Sequence, residues 1–84
     1  MAERAEILAV LAECMKKATN GDLPEEVTED KSLADHLGFD SLTMVEIAVL
    51  AEEKLGVKVP DDELAKLVTV GDMVSYIAER SASV

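Results

Sequence analysis

The sequence predicts an all-α domain, a four-helix bundle with three main helices, one short helix and a long first loop. Three observations predict it. Apolar residues recur at intervals of three and four in three separate stretches, the spacing of a helix with one buried face. Capping or stop residues bound those stretches. The hydrophobic inventory, 49% of the chain, includes one Tyr, one Phe and no Trp. The core must then be built of Leu, Ile, Val, Met and Ala, which suit packed helices better than a deep aromatic cleft. Eighty-four residues fit one domain, residues 1–84, with an ordered core from about 3 to 80. A chain this short buries roughly 60–65% of the surface its unfolded form exposes, so the core is thin. That weighs against a self-sufficient enzyme.

In residues 3–18 the apolar positions Ile7, Leu8, Leu11, Cys14, Met15 and Ala18 share one face, and Asn20-Gly21 ends the helix with residues that tolerate positive φ. Residues 21–39 read as a long connection with Pro24, several acids and the apolar anchors Leu23, Val27, Leu33 and Leu37. Those anchors are expected to pin it across the helices. A second helix is expected from Ser41 to Leu55, with Asp40 as N-cap and Gly56 as its stop. Val59-Pro60-Asp61 reads as an extended link and a fresh cap for a short helical turn over residues 62–67. Thr69 and Asp72 form a capping box with the shorter acid, and Val70, Met73, Val74 and Ile77 make one apolar stripe in the last helix. Beyond Arg80 the tail is expected to fray.

Eighteen acids against eight Lys and Arg give a formal net charge of −10. Such a surface repels phosphate backbones and anionic lipids, so neither nucleic acid nor membrane is an expected partner; basic proteins or cations are. Cys14 is the single cysteine, which excludes an internal disulfide and any multi-cysteine metal site. No targeting signal and no apolar run of membrane-spanning length is visible, and the chain is expected in the cytoplasm, as a monomer.

The second helix holds the most informative pattern. At about 100° per residue, Met44, Ile47, Ala48, Ala51 and Leu55 fall on one side, free of charge: the core face. Opposite lie Leu42, Val45 and Val49, interleaved with Glu46, Glu52 and Glu53. One buried stripe explains the first set and not the second. Aliphatics rimmed by carboxylates suit docking of a basic partner, although scattered surface hydrophobics are common on any protein. The wider charge pattern favours docking: between Asp35 and Glu63, eight acids (Asp35, Asp40, Glu46, Glu52, Glu53, Asp61, Asp62, Glu63) stand against Lys54 and Lys58.

Ser41 occupies the first position of that helix, after Gly38-Phe39-Asp40. Asp40 already supplies a cap, so the serine is spare. Its hydroxyl is expected to point outward beside unsatisfied N–H groups at the positive end of the helix dipole, where an attached phosphate would be stabilised. Nucleophilic catalysis lacks support. The only histidine, His36, is five residues upstream in a loop, and no Gly-x-Ser-x-Gly elbow is present. Cys14 reads as a small core side chain, and Met15, Met44 and Met73 as core fillers. The acids between Glu25 and Asp30 lack the spacing and central glycine of a calcium loop.

Leu37-Gly38-Phe39-Asp40-Ser41-Leu42 resembles the phosphopantetheine attachment motif of the acyl carrier protein family. Glu25-Glu26-Val27-Thr28 with Leu33 and Leu37 is similar to the family's first loop, Met44-Val45-Glu46 through Glu52-Glu53 to its recognition helix, and Val57-Lys58-Val59-Pro60-Asp61-Asp62 and Thr69-Val70-Gly71-Asp72 to the two junctions that follow. The resemblance implies that Ser41 receives 4'-phosphopantetheine from coenzyme A through a separate phosphopantetheinyl transferase, with Mg²⁺ assisting and Asp40 beside the reaction. It implies that Leu42, Val45, Glu46, Val49, Glu52 and Glu53 face acyl-chain synthesising and transferring enzymes with basic docking patches. It further implies that Ile47, Ala51, Val59, Leu67 and Val74 line the space that shelters a tethered acyl chain, admitted where the thin aliphatic core parts. The departures from the family pattern are Leu33 where Phe is frequent, His36 where an acid is common, and Thr43 where some members carry an acid.

The expected role is therefore a non-catalytic acyl carrier in fatty-acid biosynthesis. A discrete carrier of a polyketide or other secondary pathway, with aminoacyl or peptidyl cargo as a variant, uses the same features. From another class, an acidic helical adaptor without a prosthetic group shares the docking face and has no use for Ser41.

Overall fold

The computed structural model describes residues 3–82. It contains four helices in the order α1 (Arg4–Ala18), α2 (Ser41–Leu55), α3 (Asp61–Leu64) and α4 (Val70–Ala82). Each begins and ends where local chemistry dictates. α1 gives way to Asn20 and Gly21, both at positive φ (55° and 83°). α2 starts on an extended Asp40 whose carboxylate accepts the Thr43 N–H, and it stops at Gly56 in the left-handed region (φ 71°). α4 opens on a reciprocal box: the Thr69 hydroxyl accepts the Asp72 N–H, and the Asp72 carboxylate accepts the N–H groups of Thr69 and Val68, each at 3.0 Å.

The core is one apolar cluster. Ile7, Leu11, Cys14 and Met15 of α1, Ile47, Ala48 and Ala51 of α2, and Val70, Met73, Val74 and Ile77 of α4 are buried in it. Every buried position in this set follows the helical stripe that the sequence marks. Met44 and Leu55 lie half-buried at its edge. α1 packs against both α2 and α4, whereas α3 leans on α2 alone. Among the described residues no helix is long and apolar enough to cross a membrane.

The connection from α1 to α2 is irregular and firmly held. Leu33, Leu37 and Phe39 are buried, and Leu23 and Val27 pack partly against the core. Its middle runs antiparallel to the α3–α4 junction. The Leu33 N–H donates to the Val68 carbonyl (2.9 Å), Val70 N–H to Lys31 (3.0 Å) and Gly71 N–H to Glu29 (2.9 Å). Gly71 permits that approach, since a Cβ there would stand 3.0 Å from the Glu29 carbonyl oxygen. Arg4 adds a clamp from α1, its guanidinium pairing with Glu29 and donating to the Ser75 hydroxyl at 2.9 Å.

One expectation needs correction. The short helix spans Asp61–Leu64 rather than 62–67, and Pro60, not Asp61, holds the cap position without a side-chain cap. Proline presets its own φ near −61°, and its carbonyl accepts the Leu64 N–H at 2.8 Å, so the turn nucleates one residue early. After Leu64 the chain continues only as a turn. At the other end α4 extends through Ala82. The Arg80 guanidinium lies 4.0 Å over the Tyr76 ring, an i, i+4 pair on the helix surface. Ser83 and Val84 of the expected tail lie outside the described residues.

Replacing Thr69 by Ala is expected to cost about 1 kcal/mol of stability through loss of the cap, read as a lowered urea midpoint at unchanged slope. Asp72 yields a pH prediction. Hydrogen bonds from the Thr69 and Val68 N–H groups hold its carboxyl below the ordinary range. The stability this provides is complete above the unfolded value of about 3.9 and is lost as pH falls through the depressed folded value. Asp72→Asn keeps an acceptor but cannot titrate, so chemical denaturation across that acid window is expected to show a shallower fall.

Candidate functional site

The site grows from the turn that precedes α2. Between Ser32 and Phe39 the backbone closes on itself: Gly38 N–H donates to Ala34 (3.1 Å), and Phe39 N–H to Leu33 (2.9 Å). Gly38 takes positive φ (69°), which lets the chain reverse. Phe39 then buries its ring, and Asp40 swings into an extended conformation to cap the helix at 2.8 Å from the Thr43 N–H. Ser41 follows as the first helical residue and is exposed. Among the described residues its hydroxyl has no hydrogen-bond partner. Its neighbours are the open N–H groups of a helix whose first turn contains no acidic residue, an environment that favours a phosphate ester. Hydrogen bonds from Thr43, its backbone N–H first and its hydroxyl second, hold the Asp40 carboxyl below its ordinary range, so it is ionised at neutral pH.

One turn of α2 separates two apolar faces. Ile47, Ala48 and Ala51 point into the core, while Leu42 (69% exposed), Val45 (38%) and Val49 (51%) point to solvent. Glu46, Glu52 and Glu53 are exposed with them. Among the described residues the one other exposed large hydrophobic side chain is Val68, at 63%. Sequence reasoning misses it. Its periodicity is that of an ordinary link between helices, and only the folded chain brings that link beside α2.

A groove of about 610 Å³ runs alongside Ser41, between the 32–35 turn, the start of α2 and α3. Its walls include Leu33, Phe39, Met44, Val45, Leu64, Leu67 and Val68, with Asp35 and Asp61 among the polar groups. A second groove of about 390 Å³ lies between the outer face of α2 and the 58–61 link, with Val45, Val49 and Val59 beside Glu52 and Lys58. Of the five residues that the family resemblance assigns to an acyl pocket, Leu67 borders the first groove and Val59 the second. Ile47, Ala51 and Val74 are sealed in the core, at most 1% exposed. The structure is closed there.

Other candidates resolve as structural. Cys14 is fully buried, and burial raises its thiol above the ordinary range, as befits a core side chain. His36 is exposed, and its Nδ1 accepts the Ser32 N–H at 2.8 Å, so it closes the turn. Among the described residues no group of three or more His, Cys, Asp or Glu is arranged to hold a metal ion.

A family model described as a phosphopantetheine attachment site matches residues 7–77. The chain is 56% identical over 77 residues to the acyl carrier protein of Rhodococcus erythropolis, covering 92% of this chain and 84% of that one. It is 54% identical over 82 residues to the acyl carrier protein of Renibacterium salmoninarum, covering 98% and 100%. It is also 57% identical over 76 residues to the meromycolate extension acyl carrier protein of Mycolicibacterium aurum, covering 90% and 77%. A solved structure from Mycobacterium tuberculosis shares the fold with a TM-score of 0.76 at 22% identity, covering 88% of this chain and 97% of that one. An adaptor lacking any prosthetic group is set aside, because the matching model is that of an attachment site. With that match running from the first helix to the last, and with relatives more than half identical across most of its length, the chain belongs to the acyl carrier protein family, as a non-catalytic carrier with a phosphopantetheine attachment site.

Proposed function

We propose that Ser41 is the residue that bears 4'-phosphopantetheine, and that the chain works as a monomer in the cytoplasm, delivering fatty acyl chains to the enzymes that extend and transfer them. The observation that carries this is the setting of Ser41: exposed, first in α2, relieved of capping by Asp40 and unencumbered by acids in its own first turn. The names of the relatives, acyl carrier protein and meromycolate extension acyl carrier protein, favour fatty acyl cargo over polyketide or peptidyl cargo.

Loading is a phosphoryl-ester exchange. The Ser41 Oγ attacks the phosphorus of coenzyme A that bears the pantetheine, an Oγ–P bond forms, and the bond to the second phosphate breaks. The adenosine bisphosphate leaves, and the serine proton goes to a base on the transferase. This chain supplies position and field: open N–H groups and the helix dipole lower the energy of the added negative charge. Asp40 stands beside the reacting hydroxyl, where an ionised carboxylate suits the Mg²⁺ of the transferase reaction. When bound, the arm supplies a thiol that holds cargo as a thioester. Leu42, Val45 and Val49 offer apolar contact to a partner, and Glu46, Glu52 and Glu53 steer its bases. Ile47, Ala51 and Val74, all aliphatic, form the stretch of core that opens for a long chain, with Leu67 and Val59 lining the two grooves.

Incubation with coenzyme A, Mg²⁺ and a broad-range phosphopantetheinyl transferase is expected to raise the intact mass by one phosphopantetheinyl group, located at Ser41 by fragmentation. Ser41→Ala should abolish the gain and leave the circular dichroism spectrum unchanged; modification at another residue would refute the assignment. Charge reversal at Glu46 or Glu52 is expected to slow association with a basic partner roughly tenfold at low ionic strength, with the difference shrinking in salt. Stopped-flow association rates across a salt series test it.

A further inference from the structure

We propose that Val68 is a docking contact for the enzyme that modifies Ser41, so that the transferase footprint bridges the groove from the outer face of α2 to the α3–α4 corner. The inference rests on Ser41 being the loaded residue.

A lone exposed valine is ordinary. Two features set Val68 apart. Its backbone is fixed at both ends: the N–H donates to Asp72 Oδ2 at 3.0 Å, and the carbonyl accepts the Leu33 N–H at 2.9 Å. A side chain presented from an immobilised backbone loses little freedom when a partner covers it, which is how small apolar contacts come to count. Second, Val68 lines the same groove as Ser41 and Val45. An enzyme that acts on the Ser41 oxygen itself must bring its reacting phosphorus to the wall of that groove, and its surface therefore closes over the mouth. Enzymes that act on the far end of a flexible arm carry no such obligation. The groove to be matched carries Val45 and Val68 in its apolar lining and Asp35 and Asp61 in its polar lining. The partner chemistry that fits is an aliphatic or aromatic side chain set against Val68 and flanked by Arg or Lys facing those two aspartates.

The test separates docking from loading. In a Ser41→Ala background, which cannot be modified, binding to a purified broad-range phosphopantetheinyl transferase is measured by biolayer interferometry with coenzyme A present. Val68→Thr swaps a methyl for a hydroxyl at constant shape and is expected to raise the dissociation constant about fivefold by loss of apolar contact. Val68→Leu is expected to hold or improve it. Thermal melts of all variants should coincide, since the side chain is exposed. A dissociation constant that Val68→Thr and Val68→Ser both leave unchanged overturns the inference. The intact mass of the wild-type chain is read in parallel. A mass gain with unchanged binding defeats the Val68 footprint alone, whereas no mass gain defeats Ser41 carriage and this inference with it.

Discussion

The hydrogen bond from the Thr43 N–H to the Asp40 carboxylate fixes where α2 begins, and most of what distinguishes this molecule follows from that point. A helix that starts at Ser41 has its phase set. Ile47, Ala48 and Ala51 turn inward, Leu42, Val45 and Val49 turn outward, and the serine stands at the open end of the dipole. Moving the start by one residue would rotate every side chain by about 100° and bring glutamates toward the core. The cap is itself held in place, because the buried Phe39 and the closed turn behind it leave Asp40 little freedom.

That turn is supported from a distance. The strand-like pairing of residues 29–33 with 68–71, together with the Arg4 clamp, joins α1, the long loop and the start of α4 into one frame. α3 is different. It spans four residues, begins without a side-chain cap and leans on α2 alone. Its one ion pair, Lys66 with Glu63, is exposed and contributes little. The backbone pairing and the Arg4 clamp therefore lie on the side that leads into Ser41, while α3 borders the groove.

Electrostatics follow the same division. The groove beside Ser41 and the outer face of α2 share Asp35, Asp61, Glu46 and Glu52, while Lys58 is the single base lining either groove. Exposed carboxylates such as these add little to folding stability, since water screens them. Their summed field instead makes this face of the molecule strongly negative.

The chain alone determined the limits of α1 and α2, the capping box at Thr69 and Asp72, the core stripes, the two-faced second helix and the serine at its tip, because each rests on local spacing and capping chemistry. It misjudged the short helix, where Pro60 rather than Asp61 sets the start. Tertiary structure alone decided that the long loop would pair with residues 68–71, that Gly71 would be pressed against Glu29, and that Val68 would share a groove with Ser41. Those relations join residues far apart in the chain, and no periodicity records them. They exist only once loop closure has been offset by burial of the shared core.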